Sequence, residues 1–193
     1  MKILFLGPSK ENIVEYLIKD GNIVIQFEKK ISGCNDLILH DVEYIISYGY
    51  RYIIPEEVVR KFKKNIINLH ISYLPWNRGS DPNLWSFLED TPKGVTIHYI
   101  DKGLDTGEII AQKEIFFTDP RETLRTTYNK LCIEIENLFI QKWHLIKNGE
   151  IESFHQNGNG SYHKSIDKEK YLYLLENGWD TAVNKLVAKG KVN

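Results

Sequence analysis

Four short apolar runs in the first 70 residues constrain the fold more than anything else in this chain: KILFLG (2–7), NIVIQF (22–27), EYIIS (43–47) and NIINLH (65–70). Runs of that length, bounded by turn formers, read as strands, and KILFLG as a buried one. Between the first two a helix is predicted, with Ser9 as its cap, Ile13, Val14, Leu17 and Ile18 as its apolar stripe, and Gly21 as its stop. Residues 28–42 are ambiguous, and Pro55 is expected in the first turn of another helix. Strand, helix and strand within about 25 residues is the signature of an α/β sheet. The first 70 residues therefore read as a Rossmann-like half.

The pattern then changes. Asp81-Pro82 is expected to cap a short helix carrying Leu84, Trp85 and Leu88. GVTIHYI (94–100) and EIIAQKEIFF (108–117) read as strands joined by the tight loop DKGLDTG. Strands so closely joined are antiparallel, so the sheet becomes mixed. Asp119-Pro120-Arg121-Glu122 resembles a helix start with a capping box. Leu124, Tyr128, Leu131, Ile135, Leu138 and Ile146 keep helical spacing as far as Asn148-Gly149. A polar loop (156–161) and a short helix (about 167–176) follow. The expected fold class is α/β: a Rossmann-like, mixed but mostly parallel sheet flanked by helices. Residues 1–193 are expected to form one domain, with a C-terminal extension from about 150.

Composition narrows the partners. The formal net charge is −1, which gives no electrostatic footprint for nucleic acid. KFKK (61–64) and KGK (189–191) read as solvated faces. Cys34 and Cys132 are far apart and suit a reducing compartment, and nothing calls for a disulfide. The apolar run before Gly7 is too short for a signal peptide, and no run approaches the roughly 20 apolar residues of a membrane helix. A cytoplasmic protein without membrane contact is expected. The six histidines show no metal-ligand spacing, so no metal is expected. Gly7-Pro8-Ser9 has neither the dinucleotide nor the P-loop spacing, and Ser72 lies in no GxSxG elbow.

The segment NLHISYLPWNRG (68–79) departs from the apolar pattern. Side chains two apart on a strand share a face, so Asn68, His70 and Ser72 should project together. His70 falls at a strand end, as does the Tyr48–Arg51 segment, and ligands of α/β sheets bind beyond such ends. GLDTG sets Asp105 between Gly103 and Gly107. The glycines could equally serve a hairpin that Asp105 merely caps. An amide, an imidazole and a carboxylate without a side-chain nucleophile suggest that the substrate supplies the nucleophile. The enzyme then moves protons and holds an oxyanion.

These two motifs resemble the folate-dependent formyltransferase family. Its hallmark N-[LI]-H-x-S-x-L-P-x-x-x-G stands here as Asn68, His70, Ser72, Leu74, Pro75 and Gly79, and its GLDTG aspartate as Asp105. The likeness covers residues 43–117 well and the first strand loosely. It implies 10-formyltetrahydrofolate as donor and a primary amine as acceptor. It also implies an oxyanion held by Asn68 and a protonated His70, with Asp105 orienting the imidazole and relaying the proton. The pterin is expected along the loop of Asp101, Gly103 and Leu104, with Arg51 and Ile53 lining the folate pocket.

Among family members, the tRNA enzyme carries a C-terminal basic domain not expected here. The glycinamide ribonucleotide enzyme has a Gly-Ser-Asn phosphate loop where this chain reads GPSKEN. The deformylase carries an extra N-terminal regulatory domain that is not expected here. PWNRGSDPNLWSF and GSYHKS look instead like the sugar N-formyltransferases. That likeness implies a nucleotide-linked amino-dideoxy sugar, with a dTDP-4-amino-4,6-dideoxyhexose as the first expectation, and a role in lipopolysaccharide O-antigen biosynthesis. Ser72, Trp76, Tyr162, His163 and Lys164 would meet that substrate. A packing role for Trp76 and a structural surface loop for GSYHKS stay open. A homodimer is one expected assembly. The alternatives are another amine acceptor, such as glycinamide ribonucleotide, and a non-catalytic binder of folate or nucleotide sugar.

Overall fold

The structure, a computed structural model, describes residues 1–190; Lys191 of the second basic cluster lies outside them. Six strands form the main sheet: β1 (Lys2–Leu6), β2 (Ile23–Phe27), β3 (Tyr44–Ser47), β4 (Ile66–His70), β6 (Gly94–Tyr99) and β7 (Ile109–Glu114). Their order is β2-β1-β3-β4-β6-β7. The first four are parallel, and β6 runs antiparallel to both β4 and β7. A separate two-stranded ribbon pairs β5 (Arg78–Gly79) with β8 (Tyr162–His163). Helices α1 (Glu11–Lys19), α2 (Glu56–Phe62), α3 (Pro82–Leu88) and α4 (Leu124–Lys147) surround the sheet.

The period-two alternation of the strands divides the core into two layers. Ile3, Phe5, Ile46, Ile67, Leu69, Val95 and Ile97 face one way, against Ile13 and Leu17 of α1 and Leu131, Ile135, Phe139 and Trp143 of α4. Leu4, Leu6, Ile45 and Ile66 face the other way, against Val58, Val59 and Phe62 of α2. Each fully buried side chain of this size contributes roughly 1.5–3 kcal/mol. The long amphipathic α4 is therefore fixed by its burial on the sheet.

Several expected boundaries move. Lys10, without a side-chain cap, precedes α1, so Ser9 is not its cap, and Ile18 lies outside the stripe at 54% exposure. β2 is the edge strand, and Ile23 is exposed. Thr123, not Asp119, caps α4: Thr123 Oγ1 accepts from Thr126 N–H in a reciprocal capping box. The Asp119 carboxylate is already taken by the backbone and guanidinium of Arg121. Asp81 stands at the N-cap of α3 in the left-handed region, but its carboxylate reaches Lys168 at 2.9 Å instead of capping. β7 ends at Glu114, short of the expected 117. The helix expected near 167–176 is a 3₁₀ helix over Ser165–Leu174. Among the described residues no helix is long and apolar enough to cross a membrane.

Candidate active site

The strand order reverses between β1 and β3, and Asn68 and His70 lie toward the carboxyl end of β4, the neighbour of β3. On the α2-facing side, Ile66 is followed two residues on by Asn68 and then His70. The β4–β6 register sets Asn68 opposite His98 and His70 opposite Thr96. Four polar side chains thus occupy one face of two adjacent strands, where the helix α2 layer gives way.

Asp105 closes the cluster from the loop between β6 and β7. Asn68 Nδ2 donates to Asp105 Oδ1 at 3.1 Å and lies 3.3 Å from His98 Nε2. His98 Nδ1 lies 2.8 Å from the Tyr99 carbonyl. A carbonyl only accepts, so neutral His98 carries its proton on Nδ1 and offers Nε2 as an acceptor to Asn68. By the same reasoning, His70 Nε2, 3.2 Å from the Asn77 carbonyl, carries the proton of a neutral His70. That leaves the Nδ1 lone pair of His70 unprotonated. His70 Nε2 is 3.8 Å from Asp105 Oδ2, and both side chains are nearly buried (8% and 9% exposed).

Electrostatics sets the resting charges. Burial alone would push the Asp105 carboxyl up. His70 nearby, with its proton on Nε2, and the Gly79 N–H, which donates to Oδ2 at 2.8 Å, outweigh it and hold the group below the usual carboxylate range. Burial pushes His70 down more than Asp105 raises it, and His98 adds to the lowering. The free site therefore holds a neutral His70 beside an ionised Asp105. A protonated His70, as expected beside the oxyanion, would arise only when the imidazole takes a proton during the reaction.

Backbone conformation places Asp105. Its φ is +54°, in the left-handed region. Gly107 lets the loop return, since a Cβ there would stand 1.8 Å from the Tyr99 carbonyl oxygen. Gly79 lets the β5–β8 ribbon close, since its Cβ would stand 2.3 Å from the His163 carbonyl oxygen. The glycines thus have structural jobs, and the aspartate between Gly103 and Gly107 points into the cluster.

Other expected site residues divide. Ser72 does not project with Asn68 and His70, because β4 ends at His70; its Oγ donates to the Trp76 carbonyl at 2.5 Å and shapes the turn. His163 is buried, its ring stacked on Trp85 at 3.7 Å, with Nε2 3.2 Å from Glu89 Oε1 but off the hydrogen-bond direction. The ring thus packs on Trp85, at a position where the sequence likeness implied a substrate contact. Tyr162 is half exposed and Lys164 exposed, while Trp76 is partly buried. Arg51, Asp101 and Gly103 are exposed, Ile53 is 81% exposed and Leu104 half exposed. Asp101 Oδ1 accepts from Gly103 N–H and Thr106 Oγ1, so its carboxylate folds its own loop. Their neighbours Ile54 and Ile100 pack in the α2-side layer, which sets both loops against one wall of the fold. Sequence reasoning missed His98, although the alternation in GVTIHYI puts Thr96 and His98 on one polar face. Among the described residues no group of three or more His, Cys, Asp or Glu could hold a metal ion.

The arrangement can accept a proton at His70, stabilise the resulting imidazolium through Asp105, and present an amide N–H to developing negative charge. Residues 11–142 match the family model described as formyl transferase, and the chain belongs to that family. It is similar to the crystal structure of the formyltransferase PseJ from Anoxybacillus kamchatkensis, in complex with UDP-4,6-dideoxy-4-formamido-L-AltNAc and tetrahydrofolate. Identity is 56%, coverage 99% of this chain and 100% of that one, and the TM-score 0.96. It is also similar to the N-formyltransferase from Helicobacter canadensis in complex with folinic acid and dTDP-3-aminofucose, at 28% identity over 86% of this chain and 72% of that one, TM-score 0.69. A methionyl-tRNA formyltransferase of Thermodesulfovibrio yellowstonii is 33% identical over 79% of this chain and 46% of its own length. The chain spans less than half the length of the curated relatives matched first.

Proposed function

We propose that this chain transfers a formyl group from 10-formyltetrahydrofolate to the primary amine of a nucleotide-linked amino-dideoxy sugar. One observation carries the reading: the likeness to PseJ, whose complex holds a formamido sugar nucleotide and tetrahydrofolate, extends over essentially the whole of both chains. The Asn68, His70 and Asp105 cluster supports it with chemistry suited to the reaction. Because the PseJ complex contains a uridine nucleotide and the Helicobacter complex a thymidine one, UDP-linked 4-amino sugars are the first acceptors to assay, ahead of the dTDP sugars expected from sequence.

The folate supplies a formyl carbon open to attack by an amine. Around it, His70 Nδ1 takes the proton that the attacking amine releases as its bond to carbon forms, and the imidazolium is held by the ionised Asp105. Asn68 Nδ2 donates to the oxygen that gains charge. Both Nδ2 hydrogens are engaged in the free site, one on Asp105 and one on His98, so one must turn when substrate binds. His70 then returns the proton to the departing folate nitrogen, giving a formamide and tetrahydrofolate. Exposed Tyr52, Ile53 and Leu104 leave an apolar margin that a flat bicyclic ring can cover.

The test is a direct assay with 10-formyltetrahydrofolate and a panel of UDP- and dTDP-linked amino sugars, following tetrahydrofolate release and the formamide by mass. Turnover with a UDP-4-amino sugar is the expected result. Turnover only with initiator methionyl-tRNA or glycinamide ribonucleotide overturns the acceptor, and no turnover with any amine overturns the reading.

A further inference from the structure

We infer that Gln156 is a positioning residue for Asp105, a role that rests on the reading of the site given above. Its side-chain amide is fully used. Nε2 donates to the Asp105 carbonyl at 2.8 Å and to the Gly107 carbonyl at 2.9 Å. Oε1 accepts from Arg78 Nε at 3.1 Å and Nη2 at 2.7 Å. The amide orientation is fixed by its partners, because a guanidinium only donates and a carbonyl only accepts. One side chain thereby joins the loop at 105–107 to β5 and to the tail.

What Gln156 holds is a left-handed turn of backbone at the site. Asp105 is a non-glycine residue at φ +54°, a conformation that persists only where its surroundings impose it. Two restraints from opposite sides impose it here. Gly79 N–H fixes the carboxylate at 2.8 Å, and Gln156 fixes the carbonyl. Gly79 sits next to Arg78, the other partner of Gln156, so both restraints share one short strand. That strand is anchored in turn, because Arg78 N–H donates to the Ser161 carbonyl and Ser80 N–H to the His163 carbonyl. Gln156 is itself placed by the paired Ile109 and Phe154 and by Ser153 Oγ on Glu108. The polar tail from 153 to 163, whose sequence suggested a surface loop or a ligand contact, is thus the frame that aims the carboxylate at His70 and Asn68.

The test compares Gln156→Ala, which removes the whole amide, with Gln156→Glu, which keeps the size and the acceptor for Arg78 but cannot donate to either carbonyl. Two readouts are followed. The first is steady-state formyl transfer; the second is the titration of the His70 ring by NMR, which needs no substrate. Misplacing a reacting group by an ångström can lower the rate by about 10²-fold. Both variants should therefore lose about that much in kcat, with smaller changes in either KM. Both should also titrate His70 lower than wild type, since the carboxylate that raises it has moved. Arg78→Ala combined with Gln156→Ala should be no worse than the poorer single variant, because the two act as one unit. Normal kcat with an unmoved His70 titration in folded Gln156→Glu overturns the inference, and so does a fall in kcat with the titration unmoved. If wild type transfers no formyl group but the titration still moves, the proposed function fails and the positioning role stands.

Discussion

The two faces of β4 and β6 carry opposite contents. Ile67, Leu69, Val95 and Ile97 pack under α4 in a wholly apolar layer. One residue out of step, Asn68, His70, Thr96 and His98 turn toward the other side, and three of them meet Asp105 within 4 Å. The two sets share the same backbone and ladder. The difference teaches that a strand can hold a reactive cluster rigidly because its reverse side is pinned by packing. Rigidity of the scaffold would keep the proposed oxyanion donor and proton acceptor in register with each other.

Breaking the polar face should cost chemistry and leave the fold. His70→Ala removes the proton acceptor and is expected to lower kcat by at least the roughly 10²–10⁴-fold typical of one acid–base group. Asn68→Ala should lose about 10²–10³-fold as a missing oxyanion donor. Asp105→Asn keeps the shape without the charge and should also be severely impaired. Steady-state kinetics with circular dichroism on each variant tests this, and combinations should fall far short of additivity because all three act on one intermediate. Near-normal turnover in folded His70→Ala would return that residue to an ordinary strand-end histidine.

Breaking the apolar face should do the reverse. Leu69→Ala leaves a cavity beneath α4 and should lower stability by about 2–5 kcal/mol, read from urea unfolding. The folded fraction should turn over at close to the wild-type rate. A loss of kcat comparable with that of Asn68→Ala would mean that the two faces are not separable.

The pH dependence sharpens the same contrast. Burial holds His70 below its ordinary 6.5 in the folded state, so the unfolded chain binds the proton more readily. Its contribution to stability is complete above pH 6.5 and declines below it. Asp105 is held below its ordinary 3.8, so its contribution is present above that value and is lost as pH falls through the folded one. Melting temperature should fall on acidification below neutrality and steepen near pH 4. Asp105→Asn should remove the lower part of that decline, and an unchanged profile would separate the carboxylate from the acid response.

The smallest effect is expected outside the cluster. Lys164 is exposed, and an exposed charge pair contributes roughly 0.2–1 kcal/mol. Lys164→Ala should therefore raise the KM for the sugar nucleotide a few-fold and leave kcat alone. An unchanged KM assigns GSYHKS wholly to the frame that holds Gly79 and Asp105.

The strands, the switch from parallel to antiparallel pairing and the long α4 were legible from sequence because they follow hydrophobic period, which is a local property. Asn68, His70 and Asp105 were legible because two motifs of fixed spacing carry them. Helix caps were read less well: Asp119 and Asp81 have the right chemistry for capping, but Arg121 and Lys168 claim their carboxylates. Ser72 looked like a third member of the polar face, yet β4 ends two residues before it. Only the tertiary structure could show that His98 joins the site through the β4–β6 register, and that His163 stacks on Trp85 while Gln156 holds Asp105 from 51 residues away. It also decided that His70 rests neutral, because burial and neighbouring charge are sums over the whole fold. Local pattern determined which groups this chain carries, and long-range packing decided which of them meet and in what charge state.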